Sequence, residues 1–125
     1  MNDGARFWAL AGAVNAFVAV AAGAFGAHGL RARVTPRMLE VFETGARYQM
    51  FHALALLAVA WVASQREGVA DAAGWAMLVG VALFSGSLYA MALTGVTRFG
   101  MVTPLGGVGF LVGWVLFGRA VLALR

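Results

Sequence analysis

The 125-residue chain has no cysteine, no lysine and only two prolines, and its ionised side chains amount to nine arginines against five aspartates and glutamates. Without cysteine there are no disulfides, no thiolate metal sites and no cysteine nucleophile. Charged residues make up 11% of the chain, where soluble domains carry about 25%. So few charges cannot cover a water-exposed surface, which excludes a soluble globular enzyme, a disordered chain and a nucleic-acid binder. What is present is apolar: 62% of residues are hydrophobic and the mean hydropathy is +0.86. The net charge of +4 and pI of 11.2 come entirely from arginine, and beside such composition they point to lipid headgroups rather than a polyanion.

Crossing a hydrocarbon core of about 30 Å takes roughly 20 apolar residues in a helix. Charge-free runs extend over Phe7–Ala27, Tyr48–Gln65, Ala72–Thr97 and Phe99–Gly118. Arg6, the apolar run and Ala24–Ala27 imitate a signal peptide. The run is longer than the roughly 7–15 residues of a signal's apolar region, so it is expected to remain as a membrane helix. The predicted fold is all-α: an antiparallel four-helix membrane bundle in a single domain, with spans over about 7–27, 48–65, 73–95 and 103–122. Thr35-Pro36 and Thr103-Pro104 both read as an N-cap followed by proline at the first helical position. Over 36–47, Met38, Leu39, Val41, Phe42 and Ala46 alternate with Arg37, Glu40, Glu43 and Arg47. This predicts a short amphipathic interfacial segment before the second span or running straight into it, with Glu43 and Arg47 as an i,i+4 ion pair and Gly45 as the easiest point to bend. Arginines number four on the terminal side (Arg6, Arg66, Arg119, Arg125) and five on the other (Arg31, Arg33, Arg37, Arg47, Arg98), so no positive-inside bias sets an orientation.

Lipid offers no hydrophobic drive for helix association, so small residues that let backbones approach carry it. Seventeen glycines supply them: Gly109-x-x-x-Gly113 in the fourth helix, and ridges through Gly12, Gly26 and Gly86 in the first and third. These predict tight packing and a homo-oligomer or a membrane-complex partner. Asn15, Ser85 and Ser87 are polar within the spans, and Asn15 is costly enough in lipid to require a partner helix or a wet gap. Trp8, Trp61, Trp75 and Trp114 read as interfacial belts.

Three segments together are similar to one family. Gly23-Ala24-Phe25-Gly26-Ala27-His28-Gly29-Leu30, the run Phe42–Leu56 (FETGARYQMFHALAL), and Phe84–Gly95 followed by Thr103-Pro104-Leu105-Gly106-Gly107 resemble the YgdD-like small inner-membrane proteins. The resemblance implies a four-helix, multi-pass protein of the bacterial inner membrane and brings no reaction and no catalytic residues.

The chemical candidates are few. His28 and His52, with Glu43, Tyr48 and Gln49 close by in sequence, are expected near one face of the membrane. They form a candidate ligand cluster for a metal or haem, or, more simply, hydrogen bonds between helices, with His52 reaching the first helix. Arg31, Arg33, Arg37 and Arg47 are expected to contact anionic lipid headgroups. No Ser/His/Asp set, carboxylate pair, zinc motif or nucleotide loop occurs, so no catalytic residue, metal or cofactor is expected. The expected role is a non-enzymatic structural, accessory or self-associating membrane protein in contact with lipid and not with nucleic acid. The alternatives are ligand binding at His28 and His52, or passage of a small solute through an oligomer past Asn15, Ser85 and Ser87.

Overall fold

A computed structural model describes residues 1–125. Helix α1 spans Asp3–Phe25 and continues as a π turn over Gly26–Leu30; α2 spans Pro36–Gln65, α3 Asp71–Thr94 and α4 Thr103–Ala123, with a 3₁₀ turn over Thr97–Met101 before α4. There are no strands, and all four helices are long and apolar enough to cross a membrane.

The helix ends have local causes. Asn2 Oδ1 accepts the Ala5 N–H at 2.8 Å while its Nδ2 donates to Ala63 O at 2.8 Å, so one side chain both caps α1 and ties it to the end of α2. Thr35 Oγ1 accepts the Met38 N–H at 3.2 Å ahead of Pro36, as expected. Gly95 closes α3 in the left-handed conformation, φ 73°, which favours glycine.

Two expectations change and one alternative is decided. Of the two readings of 36–47, the segment runs straight into the second span. It is the start of α2, a single 30-residue helix about 45 Å long without a break at Gly45, because the apolar face of the segment is already buried through Val41, Phe42 and Ala46. The first helix reaches Leu30 through its π turn, which shortens the first connection to five residues, 31–35. Thr103 does not cap α4: the helix starts at Thr103 with Val102 as its cap residue, and the Thr103 hydroxyl is spent on Ser87, 2.6 Å away.

The helices run antiparallel, with α1 packed on α2, α2 on α3 and α3 on α4. Helices α1 and α4 share no packed seam, so the bundle is open along one side of α2. One apolar core lies toward the chain termini and contains Trp8, Leu56, Val59, Met77 and Ala120. A smaller core, with Leu30, Val41, Phe42, Leu88 and Ala92, lies toward the other end.

Candidate functional site

Between the two cores the buried polar side chains Gln49, His52, Ser85 and Ser87 gather with Asn15, Tyr89 and Thr103 in one layer crossing all four helices. Asn15 on α1 turns its Nδ2 back to Ala11 O and accepts from Gln49 Nε2 at 3.0 Å; Tyr89 on α3 donates to Gln49 Oε1 at 2.7 Å. Gln49, only 6% exposed, thus joins α1, α2 and α3. Ser85 Oγ donates to Gly45 O at 2.7 Å, an approach that the missing side chain of Gly45 allows. Its absent Cβ would lie 3.0 Å from the Tyr89 ring. Ser87 and Thr103 join α3 to α4.

One turn further along α2, His52 faces α4. Its ring stacks on Phe110 at 3.6 Å between centroids and 6° between planes. Trp114 Nε1–H donates to His52 Nε2 at 3.1 Å, and His52 Nδ1 lies 2.8 Å from Tyr48 O. An indole nitrogen can only donate and a carbonyl can only accept. The imidazole is therefore neutral with its proton on Nδ1, and both ring nitrogens are occupied. Phe84, Tyr48 and Phe110 extend the aromatic contacts around it.

The predicted candidate cluster is therefore divided. Gln49 and His52 are buried in the layer but face different helices. His28 is exposed on the π turn, beyond the Gly26–Phe42 contact, which itself lies ten residues before His52 on α2, about 15 Å of helix rise. The two histidines do not share a site. His52 bonds to α4 and not to α1. Tyr48 is partly exposed and lends only its carbonyl and ring, and Glu43 is partly buried near Gly26. The expected Glu43–Arg47 ion pair is not made; the pairs present are Arg37–Glu40 at 3.8 Å and Arg6–Asp3 at 3.9 Å, both on exposed side chains. No three His, Asp or Glu side chains gather where they could hold a metal. Arg31, Arg33, Arg37 and Arg47 are all exposed at the end away from the termini, and of these only Arg37 has a carboxylate partner.

The glycines also have definite positions. Cβ atoms at Gly109 and Gly113 would meet Gly80 and Met77 of α3, one at Gly12 would meet Leu57 and Ala53 of α2, and one at Gly26 would meet Phe42. The GxxxG motif is used within the chain. Gly86 touches nothing and faces outward, so its ridge does not pack the bundle. Two belt tryptophans are structural as well. Trp8, 1% exposed, donates to Asp71 at 2.9 Å, and Trp114 holds His52. The sequence signals for this layer were Asn15, Ser85 and Ser87 as polar residues within the spans and His52 as an interhelical hydrogen-bonder, and none of them paired Asn15 with Gln49.

The family model described as protein of unknown function (DUF423) matches residues 22–107. That stretch contains the polar layer apart from Asn15 and Trp114, and all of α2 and α3. The chain belongs to this family. Among its DUF423 relatives, the UPF0382 membrane protein YwdK of Bacillus subtilis is 44% identical over 113 residues, covering 89% of this chain and 92% of the relative. The UPF0382 membrane protein SERP0230 of Staphylococcus epidermidis is 40% identical over 117 residues (94% and 96%), and SAB0533 of Staphylococcus aureus is 41% identical over 111 (89% and 91%). No solved structure matches the chain. This DUF423 protein is a membrane protein of a family with no assigned activity.

Proposed function

We propose that the protein is a non-enzymatic structural or accessory protein of the bacterial inner membrane, with its loop face on anionic lipid headgroups through Arg31, Arg33, Arg37 and Arg47. Within the DUF423 family the three matching segments support grouping it with the YgdD-like proteins. One observation carries the reading: no buried side-chain nitrogen or oxygen lacks a hydrogen-bond partner within the chain. A catalytic or ligand-binding interior ordinarily keeps polar atoms aimed at its substrate. Here Asn15, Gln49, His52, Ser85, Ser87 and Tyr89 all bond to their own bundle, and no cavity is lined by them. The unpaired charges are instead exposed, with Arg31, Arg33 and Arg47 lacking any carboxylate partner.

Self-association belongs to the same reading but uses a different ridge from the GxxxG motif. On α3 the ridge Ala82, Gly86 and Ala90 remains outward, with only Ala90 of the three partly covered.

Hydrogen–deuterium exchange in nanodiscs tests the lipid contact. Amides of 30–39 are expected to exchange more slowly in phosphatidylglycerol than in phosphatidylcholine, and the difference to vanish when the four arginines become glutamine. Equal exchange in the two lipids sinks the proposal.

A further inference from the structure

We infer a second lipid site, on the opposite membrane face from the loop arginines: a cavity between the ends of α2 and α4 that takes the phosphate headgroup of one anionic phospholipid, with an acyl chain running down the open side of α2. The cavity measures about 530 Å³ and is lined by Trp61, Gln65, Arg66, Ala123, Leu124 and Arg125. It contains two guanidinium groups and no acidic side chain. Neither arginine makes an ion pair, and Glu67, the next residue after Arg66, is outside the lining.

Arg66 is held in place for this role. One Nη1–H donates to Ala123 O at 3.1 Å, which satisfies a terminal carbonyl of α4. A guanidinium carries five N–H donors in a rigid fork, so four remain for an anion, and a phosphate takes such a fork in bidentate fashion. The cavity also lies where the apolar runs of α2 and α4 end, the depth of lipid phosphates.

The apolar half of the site follows from the open bundle. Because α1 and α4 share no seam, α2 shows one continuous stripe to the membrane: Trp61, Leu57, Leu54 and Phe51 are 61%, 42%, 55% and 50% exposed. The three- and four-residue spacing places them in line on one helix face. Trp61 belongs to both the stripe and the cavity, so a headgroup on Arg66 starts its acyl chain on this track. A free anion would use the arginines and leave the track unused. A zwitterionic lipid would bring a third cation to the two arginines.

Native mass spectrometry of the full chain released from a mild detergent, titrated with phosphatidylglycerol or phosphatidylcholine of equal chain length, tests this. One phosphatidylglycerol is expected to be held about tenfold more tightly than phosphatidylcholine, and Arg66→Gln to remove that preference, the scale of one charge-assisted contact. Trp61→Ala should weaken both lipids. Equal retention of the two lipids by the unaltered chain overturns the inference without any variant. So does an unchanged preference in Arg66→Gln, displacement of the lipid by inorganic phosphate alone, or a mass showing that a second copy of the chain occupies the groove. The adduct must persist when Arg31, Arg33, Arg37 and Arg47 are all glutamine. Its loss there would place the lipid on the loop face and leave the earlier proposal standing while this one fails.

Discussion

Glycine-to-alanine substitutions along α4 should separate sharply by position, because the seam with α3 is set by the absence of Cβ atoms. A methyl at Gly106 would overlap the backbone N, Cα and Cβ of Phe84. At Gly113 it would come within 2.7 Å of Met77 Cγ and 3.3 Å of Met77 N, and at Gly109 within 3.2 Å of Gly80 Cα. At Gly107 and Gly118 it meets nothing within 4 Å. Backbone cannot move aside as a side chain can, so Gly106→Ala must push α4 off α3, and overpacking of this kind costs about 1–3 kcal/mol. Met77 is flexible, which puts Gly113→Ala at the lower end of that range, and Gly109→Ala, a tight but not overlapping contact, lower still. Gly107→Ala has no steric penalty and gains up to about 1 kcal/mol from helix propensity. Reversible unfolding in bicelles, followed by far-ultraviolet circular dichroism, measures the series. Adjacent positions 106 and 107 then differ by about 1–4 kcal/mol, with the destabilisation at 106. Equal effects at the two positions, or a series that alters only the association of chains while each chain's stability stays constant, would refute the packing of α4 on α3.

The polar layer yields two more expectations. Trp114→Phe keeps the aromatic bulk but leaves His52 Nε2 without its donor, and should cost about 0.5–2 kcal/mol; the nitrogen chemical shifts of the His52 ring should report Nδ1–H in the unaltered chain, and a protonated Nε2 there would contradict the bond. Gln49→Leu strands both Asn15 Oδ1 and Tyr89 O–H, so it should destabilise by about 1–3 kcal/mol. A double-mutant cycle with Tyr89→Phe in the same unfolding assay should return a coupling of roughly 0.6–1.7 kcal/mol, and additive effects would show that the two side chains do not bond.

The elements of the fold were legible because their signals are local and one-dimensional. A charge-free run counts residues against membrane thickness, and Thr35-Pro36 carries its helix start in two adjacent residues. Partners were less legible. The spacing of Gly109 and Gly113 defines a face of α4 but not whether that face meets α3 of the same chain or a second copy. The outward position of Gly86, in a ridge of the same spacing, is decided by the angle at which α3 docks on α2. His52 was expected on α1 and bonds to α4 because the side chain of Gln49, one turn away, already occupies the α1 side through Asn15. Trp8 and Trp114 have the composition of an interfacial belt, yet each has its indole N–H on a partner in another helix that sequence distance conceals, 63 residues away for Asp71 and 62 for His52. The open side of α2 was the least legible feature, since it depends on two helices not meeting.

The central claim is that the buried polar residues of the spans and the GxxxG glycines of α4 are spent within a single chain. The absence of cysteine makes its most direct test clean. Ser87→Cys with Thr103→Cys replaces two hydroxyls 2.6 Å apart, and mild oxidation in native membranes should join them. A disulfide that leaves the 13.0 kDa chain running as a monomer, with both thiols protected from maleimide until reduction, is the predicted result. A band at twice that mass, released to monomer by reductant, would show that α3 meets α4 of another copy and would contradict the account.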